Sequence, residues 1–259
     1  MELNVIEAGS GPPLVLLHGL FGSARNFATV QRRLAAHWRV LALDLRNHGA
    51  SPHAPGMQYA AQATDVLETL GRHDALPAAI VGHSMGGKVA MRLGLEVPAS
   101  VSRLAVCDIA PVAYPPHFRE YARAMGGLAL APGLTRAASD AALAPAVPDR
   151  AVRAFLLQNL TFGARPAWRI GLAEIAAGLP DIEGWAAPPG ARYEGPALFL
   201  KGERSDYVRP EHRPAIRALF PATRIVTLKD AGHWLHADNP DGFVGAITSF
   251  LLSDGVSSI

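Results

Sequence analysis

Short apolar runs alternate along the chain with segments in which apolar residues recur at helical spacing. A run of four or five apolar residues that ends at a glycine or a polar residue is typical of a buried strand. Strands separated by helices pair in parallel, and the helices then cover both faces of the sheet. We therefore predict an α/β fold with a mostly parallel, doubly wound sheet. Its strands are expected at residues 3–7, 14–17, 39–43, 78–81, 104–107, 197–200 and 224–228.

The helices of this alternation are expected at residues 23–36, 59–70, 85–95, 214–219 and 241–252. Between residues 110 and 195 the alternation stops, and prolines separate alanine-rich and aromatic segments that also have helical character. One domain with an insertion explains this break better than two domains, because the strand and helix pattern resumes afterwards. We expect a single domain over residues 1–259 with a helical cap inserted at about 112–190.

The composition limits which partners the chain can have. Of its 259 residues 49% are hydrophobic and the net charge is only +2, without a basic stripe, so we expect no nucleic-acid partner. Cys107 is the only cysteine, which excludes an internal disulfide. The ten histidines lack metal-ligand spacing and no phosphate-loop motif occurs, so no metal or cofactor is expected. No membrane span or signal peptide is recognised, and a cytoplasmic monomer or homodimer is expected.

Residues 82–86 read G-H-S-M-G, directly after one predicted strand and directly before a predicted helix. In this context the pentapeptide is typical of a nucleophile elbow, which exposes the serine hydroxyl at the top of a sheet. Gly82 and Gly86 suit such a turn because a larger side chain at either position would collide with the neighbouring strand or helix. Ser84 is therefore the candidate nucleophile, and a plain glycine-rich turn is the alternative.

A serine hydroxyl needs a base within hydrogen-bond reach and a third group that orients the base. His233 is the candidate base because it follows the last predicted strand, where a loop at the carboxyl edge of the sheet reaches Ser84. His236 is nearby but less well placed. Two acids, Asp108 and Asp206, each follow an apolar strand at the same edge, and each gives the chain order Ser, Asp, His. The sequence pattern leaves both open.

Acyl transfer also requires hydrogen-bond donors where the carbonyl oxygen becomes negative. The backbone amide of Met85, directly after the nucleophile, is the first candidate. The second is expected from the loop after the strand at 14–17, through the amide of Leu20 or alternatively that of Phe21. His18, at the start of this loop, is expected to orient it and not to react.

Four motifs together resemble the α/β-hydrolase superfamily over nearly the whole chain. They are H-G at 18–19, D-L-R-N-H-G-A-S at 44–51, the elbow at 82–86 and G-H at 232–233. Within that superfamily the closer resemblance is to YbfF-type esterases and their mitochondrial relatives, through L-H-G-L-F-G-S at 17–23, G-H-S-M-G-G-K at 82–88, D-I-A-P-V at 108–112 and A-G-H-W-L-H-A at 231–237. In those esterases the acid is expected after the sixth strand, which matches Asp108 here, whereas most of the superfamily places it later, near Asp206. The resemblance favours Asp108.

The resemblance implies a serine esterase or thioesterase that acts on a small-molecule ester or thioester through an acyl-enzyme. An acyl-CoA thioesterase and a lyase or C–C hydrolase on the same scaffold are alternatives, because fold and triad alone do not separate them. If the chain is not an enzyme, the alternative is a ligand-sensing receptor that turns its ligand over slowly or not at all. Dehalogenase and epoxide hydrolase activities are not expected, since those enzymes carry aspartate at the position of Ser84.

Two further groups of residues invite a functional interpretation. The polar loop at 44–49 resembles a metal or phosphate site, but Asp and Asn in such turns usually bond the local backbone, so we expect a structural role. Aromatic residues of the cap and the neighbouring Trp234 can line an acyl pocket, although most are expected in the core. They are Tyr114, Phe118, Phe155, Phe162, Trp168, Trp185 and Trp234.

Overall fold

Within residues 1–253, which the computed structural model describes, seven strands form one twisted sheet. The last residues of the predicted single domain, 254–259, lie outside the described part. In spatial order the strands are β1 (Val5–Ala8), β3 (Arg39–Leu43), β2 (Pro13–Leu17), β4 (Ala78–His83), β5 (Val101–Cys107), β8 (Ala197–Gly202) and β9 (Thr223–Leu228). All neighbours pair in parallel except β1, which runs antiparallel to β3. The predicted α/β fold is confirmed, and every predicted strand is present.

Helices cover both faces of this sheet. The strands alternate their side chains between two buried clusters: Val15 and Leu17 of β2 belong to one cluster, and Leu14 and Leu16 to the other. Such burial on both faces is what a parallel sheet requires. The helices flanking the sheet are α1 (Ala28–Leu34), α2 (Tyr59–Arg72), α3 (Met85–Glu96), α8 (Arg213–Leu219), α9 (Leu235–Asp238) and α10 (Pro240–Leu252). No helix in the described part is both long and apolar enough to cross a membrane.

The segment predicted as an insertion, residues 112–190, is called the cap segment below. It contains four helices, α4 (Phe118–Gly126), α5 (Arg136–Leu143), α6 (Arg150–Leu156) and α7 (Leu172–Glu183). The prediction of an all-helical segment missed two short antiparallel strands, β6 (Leu160–Thr161) and β7 (Ala167–Trp168). Strands of two residues carry no alternating pattern that a sequence could reveal.

The end of α7 is tied to the two helices beneath it. The hydroxyl of Tyr59 in α2 donates to the carbonyl oxygen of Ile182 at 2.5 Å. The side-chain nitrogen of Lys88 in α3, which is almost fully buried, donates to the carbonyl oxygen of Gly184 at 2.7 Å. Burial lowers the pKa of Lys88 to about 7, but the nitrogen donates in either protonation state and so satisfies a carbonyl group at the helix end, where partners within the helix are lacking. The cap segment is therefore anchored next to the helix that follows Ser84.

Because the sheet is buried on both faces, shortening a side chain of a central strand should lower the stability of the fold considerably. Leu16 of β2 is fully buried, so Leu16→Ala should lower the free energy of unfolding by about 2–5 kcal/mol, through lost apolar burial and the cavity left behind. Val226 of the edge strand β9 is 42% exposed, and Val226→Ala should cost less than about 1 kcal/mol. Urea unfolding of both variants tests this. Equal costs would contradict the described position of β2.

Candidate active site

Ser84 lies at the junction of β4 and α3, in a backbone conformation that residues with a side chain rarely adopt. Its φ is 52° and its ψ is −118°. A Cβ on Gly82 would lie 2.2 Å from the carbonyl oxygen of Gly86, and a Cβ on Gly86 would lie 2.4 Å from that of Leu17. Both distances are too short for any side chain, so the close packing of strand, turn and helix requires the two glycines. The turn has the geometry predicted for an elbow.

The side chains of Ser84, His233 and Asp108 form a continuous chain of hydrogen bonds. His233 follows β9, and its Nε2 lies 3.1 Å from the hydroxyl oxygen of Ser84. On the other side of the ring, Nδ1 lies 2.8 Å from Oδ2 of Asp108, directly after β5. A carboxylate only accepts hydrogen bonds, so Nδ1 carries the proton and the lone pair of Nε2 faces the serine hydroxyl. The ring is placed to take a proton from Ser84.

Asp108 is fully buried, and its carboxylate receives two donors from the end of β8 and the loop that follows it. The amide of Gly202 donates to Oδ1 at 3.0 Å, and the hydroxyl of Ser205 donates to Oδ2, the oxygen that also faces His233. A buried carboxylate is tolerable only when such donors replace the water it has lost. The sequence analysis did not predict the contact made by Ser205, because a serine three residues after the end of a strand carries no sequence signal.

Asp206, the alternative acid, lies elsewhere. Its side chain is exposed, on the wall of an outer groove that also borders His233. Among residues 1–253 no hydrogen bond joins it to the imidazole, whereas the neighbouring Tyr207 stacks on the ring with centroids 4.1 Å apart. The structure thus brings Asp108 to His233 and leaves Asp206 at the surface.

The loop after β2 turns sharply beside Ser84. The carbonyl oxygen of Gly19 accepts two hydrogen bonds, from the amide of Gly22 at 2.9 Å and from Nδ1 of His18 at 2.8 Å. Because a trans peptide is planar, the N–H of Leu20 points away from that oxygen. A Cβ on Gly19 would lie 3.2 Å from Cβ of Ser84, so this turn runs against the nucleophile. Within residues 1–253 the amide of Leu20 has no hydrogen-bond acceptor.

Phe21 is the third residue of this turn and has a positive φ of 59°. That conformation belongs to a type II turn, which favours glycine at this position, and it costs other residues about 1–2 kcal/mol. The amide of Phe21 donates to Nε2 of His48 at 3.1 Å, and its carbonyl oxygen accepts from Nδ2 of Asn159 at 2.7 Å. Since the Phe21 amide is already occupied, the Leu20 amide is the one available to a ligand. Met85, as the first residue of α3, likewise has no acceptor within the helix.

The polar loop after β3 holds the turn in place, in the structural role that was predicted for it. Asp44 accepts from the amides of Ala24 at 2.7 Å and Ala50 at 2.9 Å. The Nδ1 of His48 donates to the carbonyl oxygen of Arg46, which leaves Nε2 free to accept from Phe21. Burial, followed by the proximity of a second histidine, lowers the pKa of His48 to about 3. The ring therefore stays neutral near pH 7 and keeps its role as acceptor.

A cavity of about 440 Å³ opens beside Ser84 and His233. Its polar end is formed by the loops that carry these two residues, and its far wall is apolar and comes from the cap segment. The cap residues that line it are Phe118, Tyr121, Val152, Phe155 and Leu156. Of the seven aromatic residues considered from the sequence, Phe118, Phe155 and Trp234 border this cavity, while the other four do not: Tyr114, Phe162, Trp168 and Trp185. The cavity suits an apolar group attached to a carbonyl at Ser84.

Two more histidines pack around His233. His83 donates from Nε2 to the backbone carbonyl oxygen of His233 at 2.7 Å, and its ring lies 5.0 Å from that of His236. Burial is the main reason that the pKa of His83 is held well below its usual range. Burial, followed by the proximity of His233, lowers the pKa of His236 to about 4. His236 packs on the ring of Phe27, and within residues 1–253 it makes no hydrogen bond to Ser84, in agreement with its less favourable position in the sequence.

Comparisons with known proteins identify the family of the chain. The model of the alpha/beta hydrolase family matches residues 14–246. The sn-1-specific diacylglycerol lipase ABHD11 of Mus musculus is 42% identical over 97% of this chain and 85% of its own length. Esterase YbfF of Escherichia coli is 36% identical over 92% of each chain. Among solved structures, a marine microorganism esterase superposes with a TM-score of 0.92 at 34% identity and covers 96% of this chain and 99% of its own.

The buried neutral state of His236 has a consequence for stability in acid. In the unfolded chain this histidine titrates near pH 6.5, whereas in the folded chain its pKa is about 4. Between these values only the unfolded chain binds the proton, so stability falls as the pH drops from 6.5 to 4. His236→Phe removes the titrating group. For each pH unit of acidification in that window, the free energy of unfolding of the variant should rise relative to that of the wild type by up to about 1.4 kcal/mol.

Urea unfolding at several pH values between 7 and 4.5 measures this difference. Phenylalanine keeps the ring against Phe27 and removes the buried Nδ1, which has no hydrogen-bond partner in the described part. His37→Phe, at an exposed position, is the matched control and should run parallel to the wild type. A parallel curve for His236→Phe would show that the folded protein tolerates the charged ring.

Proposed function

The chain belongs to the alpha/beta hydrolase family and is an ester hydrolase, and from that premise we propose that it cleaves carboxylic esters through a triad of Ser84, His233 and Asp108. The observation that carries the proposal is the unbroken chain of hydrogen bonds from the Ser84 hydroxyl through the imidazole to a buried carboxylate, at the polar end of an apolar cavity. These are the contacts that nucleophilic catalysis by serine requires.

In the first half of the reaction the hydroxyl oxygen of Ser84 attacks the ester carbonyl carbon while Nε2 of His233 takes its proton. Asp108 accepts from Nδ1 throughout, which fixes the tautomer and stabilises the imidazolium as it forms. The carbonyl oxygen becomes negative and accepts from the amides of Leu20 and Met85. The tetrahedral intermediate then collapses, His233 returns the proton to the leaving alcohol, and an acyl group remains on Ser84.

In the second half a water molecule takes the place of the alcohol. His233 removes a proton from this water as its oxygen attacks the acyl carbon, and the same two amides hold the new oxyanion. Collapse breaks the bond to Ser84, whose oxygen receives the proton back from Nε2, and the carboxylic acid leaves. Every proton passes through one ring nitrogen, so no further acid or base is needed.

The shape and lining of the cavity support an apolar acyl group over a charged one. The name of the mouse relative, a diacylglycerol lipase specific for the sn-1 position, places neutral glycerol esters in the panel of substrates to test. A thioester presents the same carbonyl to the same groups, so matched oxygen esters and thioesters of one acyl chain belong in the panel too. We propose carboxylic esters as the principal class.

Labelling with a fluorophosphonate tests the nucleophile. The probe should modify Ser84 alone in the folded protein, and Ser84→Ala should lose at least about 10⁴-fold in the hydrolysis of short p-nitrophenyl esters. Mass spectrometry locates the label. Ser100→Ala, which changes a buried serine whose hydroxyl donates to the carbonyl oxygen of Val97, should keep both labelling and activity. An unmodified Ser84 would contradict the proposal, and acylation without turnover would favour the ligand-sensing alternative.

A pair of substitutions tests the acid. Asp108→Asn should lower kcat by about 10⁴-fold, because the amide no longer selects the tautomer in which Nε2 faces Ser84. Asp206→Asn should change kcat less than about threefold, since its side chain is exposed and makes no contact with the imidazole in the described part. Steady-state kinetics on one ester measures both. The reverse order of effects would assign the role to Asp206.

A further inference from the structure

The turn beside Ser84 is held from two sides at Phe21. From the side of the sheet, Nε2 of His48 accepts the Phe21 amide, and from the side of the cap segment Nδ2 of Asn159 donates to the Phe21 carbonyl oxygen. Residues held at positive φ persist only where their surroundings fix them. The two hydrogen bonds fix the peptides before and after Phe21, so together they determine its backbone conformation.

Asn159 is itself held firmly. It lies in the short 3₁₀ turn after α6 and its side chain is buried. Its Nδ2 also approaches the carbonyl oxygen of Leu156 at 3.3 Å, and two carbonyl acceptors define which end of the amide is the nitrogen. Its backbone carbonyl oxygen accepts from the amide of Arg169 at 2.8 Å. The donor that faces Phe21 therefore has little freedom to move.

We propose that Asn159 is a positioning residue for the oxyanion hole, through which the cap segment holds Phe21 in the conformation that presents the Leu20 amide to the reacting carbonyl. If Phe21 turned to a negative φ, the peptide between Leu20 and Phe21 would rotate and the contact with His48 would be lost. The Leu20 amide would then move from its place beside Ser84. The inference rests on the proposed function, because it assigns a role within the same reaction.

The position of Asn159 connects this role to the substrate cavity. Val152, Phe155 and Leu156, which line the cavity, belong to the helix that ends just before Asn159. An acyl group in the cavity therefore packs on α6, which leads directly into the 3₁₀ turn that carries Asn159 and so holds the turn at Leu20 and Phe21. The cap segment contributes to the chemical step as well as to binding.

Kinetics of Asn159→Ala and Asn159→Asp test the inference. Aspartate has nearly the same shape but, when ionised, cannot donate to the Phe21 carbonyl oxygen. Both variants should lose about 10- to 100-fold in kcat while KM changes less than about threefold, because only the transition state uses the displaced amide. The affinity for a trifluoromethyl ketone, which forms an oxyanion on Ser84, should fall by the same factor. Thermal unfolding shows whether each variant is folded.

Gln158→Ala is the matched control. Gln158 makes another contact between the cap segment and the sheet side of the molecule, accepting from Nδ2 of Asn26 at 3.3 Å, but it does not contact Phe21. Its variant should retain the kcat of the wild type. If the Asn159 variants lose no more kcat than Gln158→Ala, the inference is wrong.

Glycine at position 21 gives a second and independent readout. Glycine adopts a positive φ without steric cost, so Phe21→Gly should restore kcat at least fivefold when added to Asn159→Ala. If Asn159 only packed within the cap segment, Phe21→Gly would not restore kcat. The absence of rescue would therefore overturn the inference. Failure of the proposed function would appear separately, as an unlabelled Ser84 in the wild type.

Discussion

The buried carboxylate of Asp108 is the group on which the arrangement of the site depends. A charge with no exposure to water is stable only if donors surround it, and here they come from the loop after β8 and from the loop that carries His233. Satisfying Asp108 therefore brings three separate loops to one point at the edge of the sheet. The imidazole that donates to it is left with one orientation, in which its second nitrogen faces Ser84.

Neutral histidines hold the loops on the other side of Ser84, around Leu20 and Phe21. His18 and His48 are buried, and burial lowers the pKa of each. The Nε2 of His18 accepts the amide of Leu45 and that of His48 accepts the amide of Phe21, while each Nδ1 donates to a backbone carbonyl oxygen. Protonation would convert both acceptors into donors and break these contacts. The same low polarity that strengthens the oxyanion hydrogen bonds thus keeps their supports in the required state.

The positions of the strands along the chain and the elbow could be predicted because both depend on local pattern. A short apolar run that ends at a glycine or a polar residue indicates a buried strand, and the elbow motif combines a strand, a turn and a helix within a few residues. The acid could not be chosen on this basis, since Asp108 and Asp206 both follow parallel strands at one edge. Their difference lies in Ser205 and Gly202, which are close to Asp108 only in the folded chain.

Local pattern also could not decide which backbone amide, that of Leu20 or that of Phe21, is available to the oxyanion. Leu20 and Phe21 are adjacent apolar residues, and what separates them is the acceptor His48, 27 residues further along the chain. The contact of Asn159 lies 138 residues from Phe21 and has no sequence signal at all. Such contacts matter most where the backbone is held away from its preferred conformation, because local preference there predicts the wrong turn.

Different parts of this chain form the apolar wall of the cavity and the reacting groups, and particular contacts join the two parts. The sheet side supplies the nucleophile, the base and the amides, whereas the cap segment supplies the apolar wall of the cavity. One meeting point is Phe21, held by Asn159. Another is Tyr207, which stacks on His233 and whose hydroxyl lies 3.1 Å from Nε2 of His117 at the start of α4. Changes in the cap wall can therefore alter the acyl group accepted, and contacts such as these two are where they also reach the chemistry.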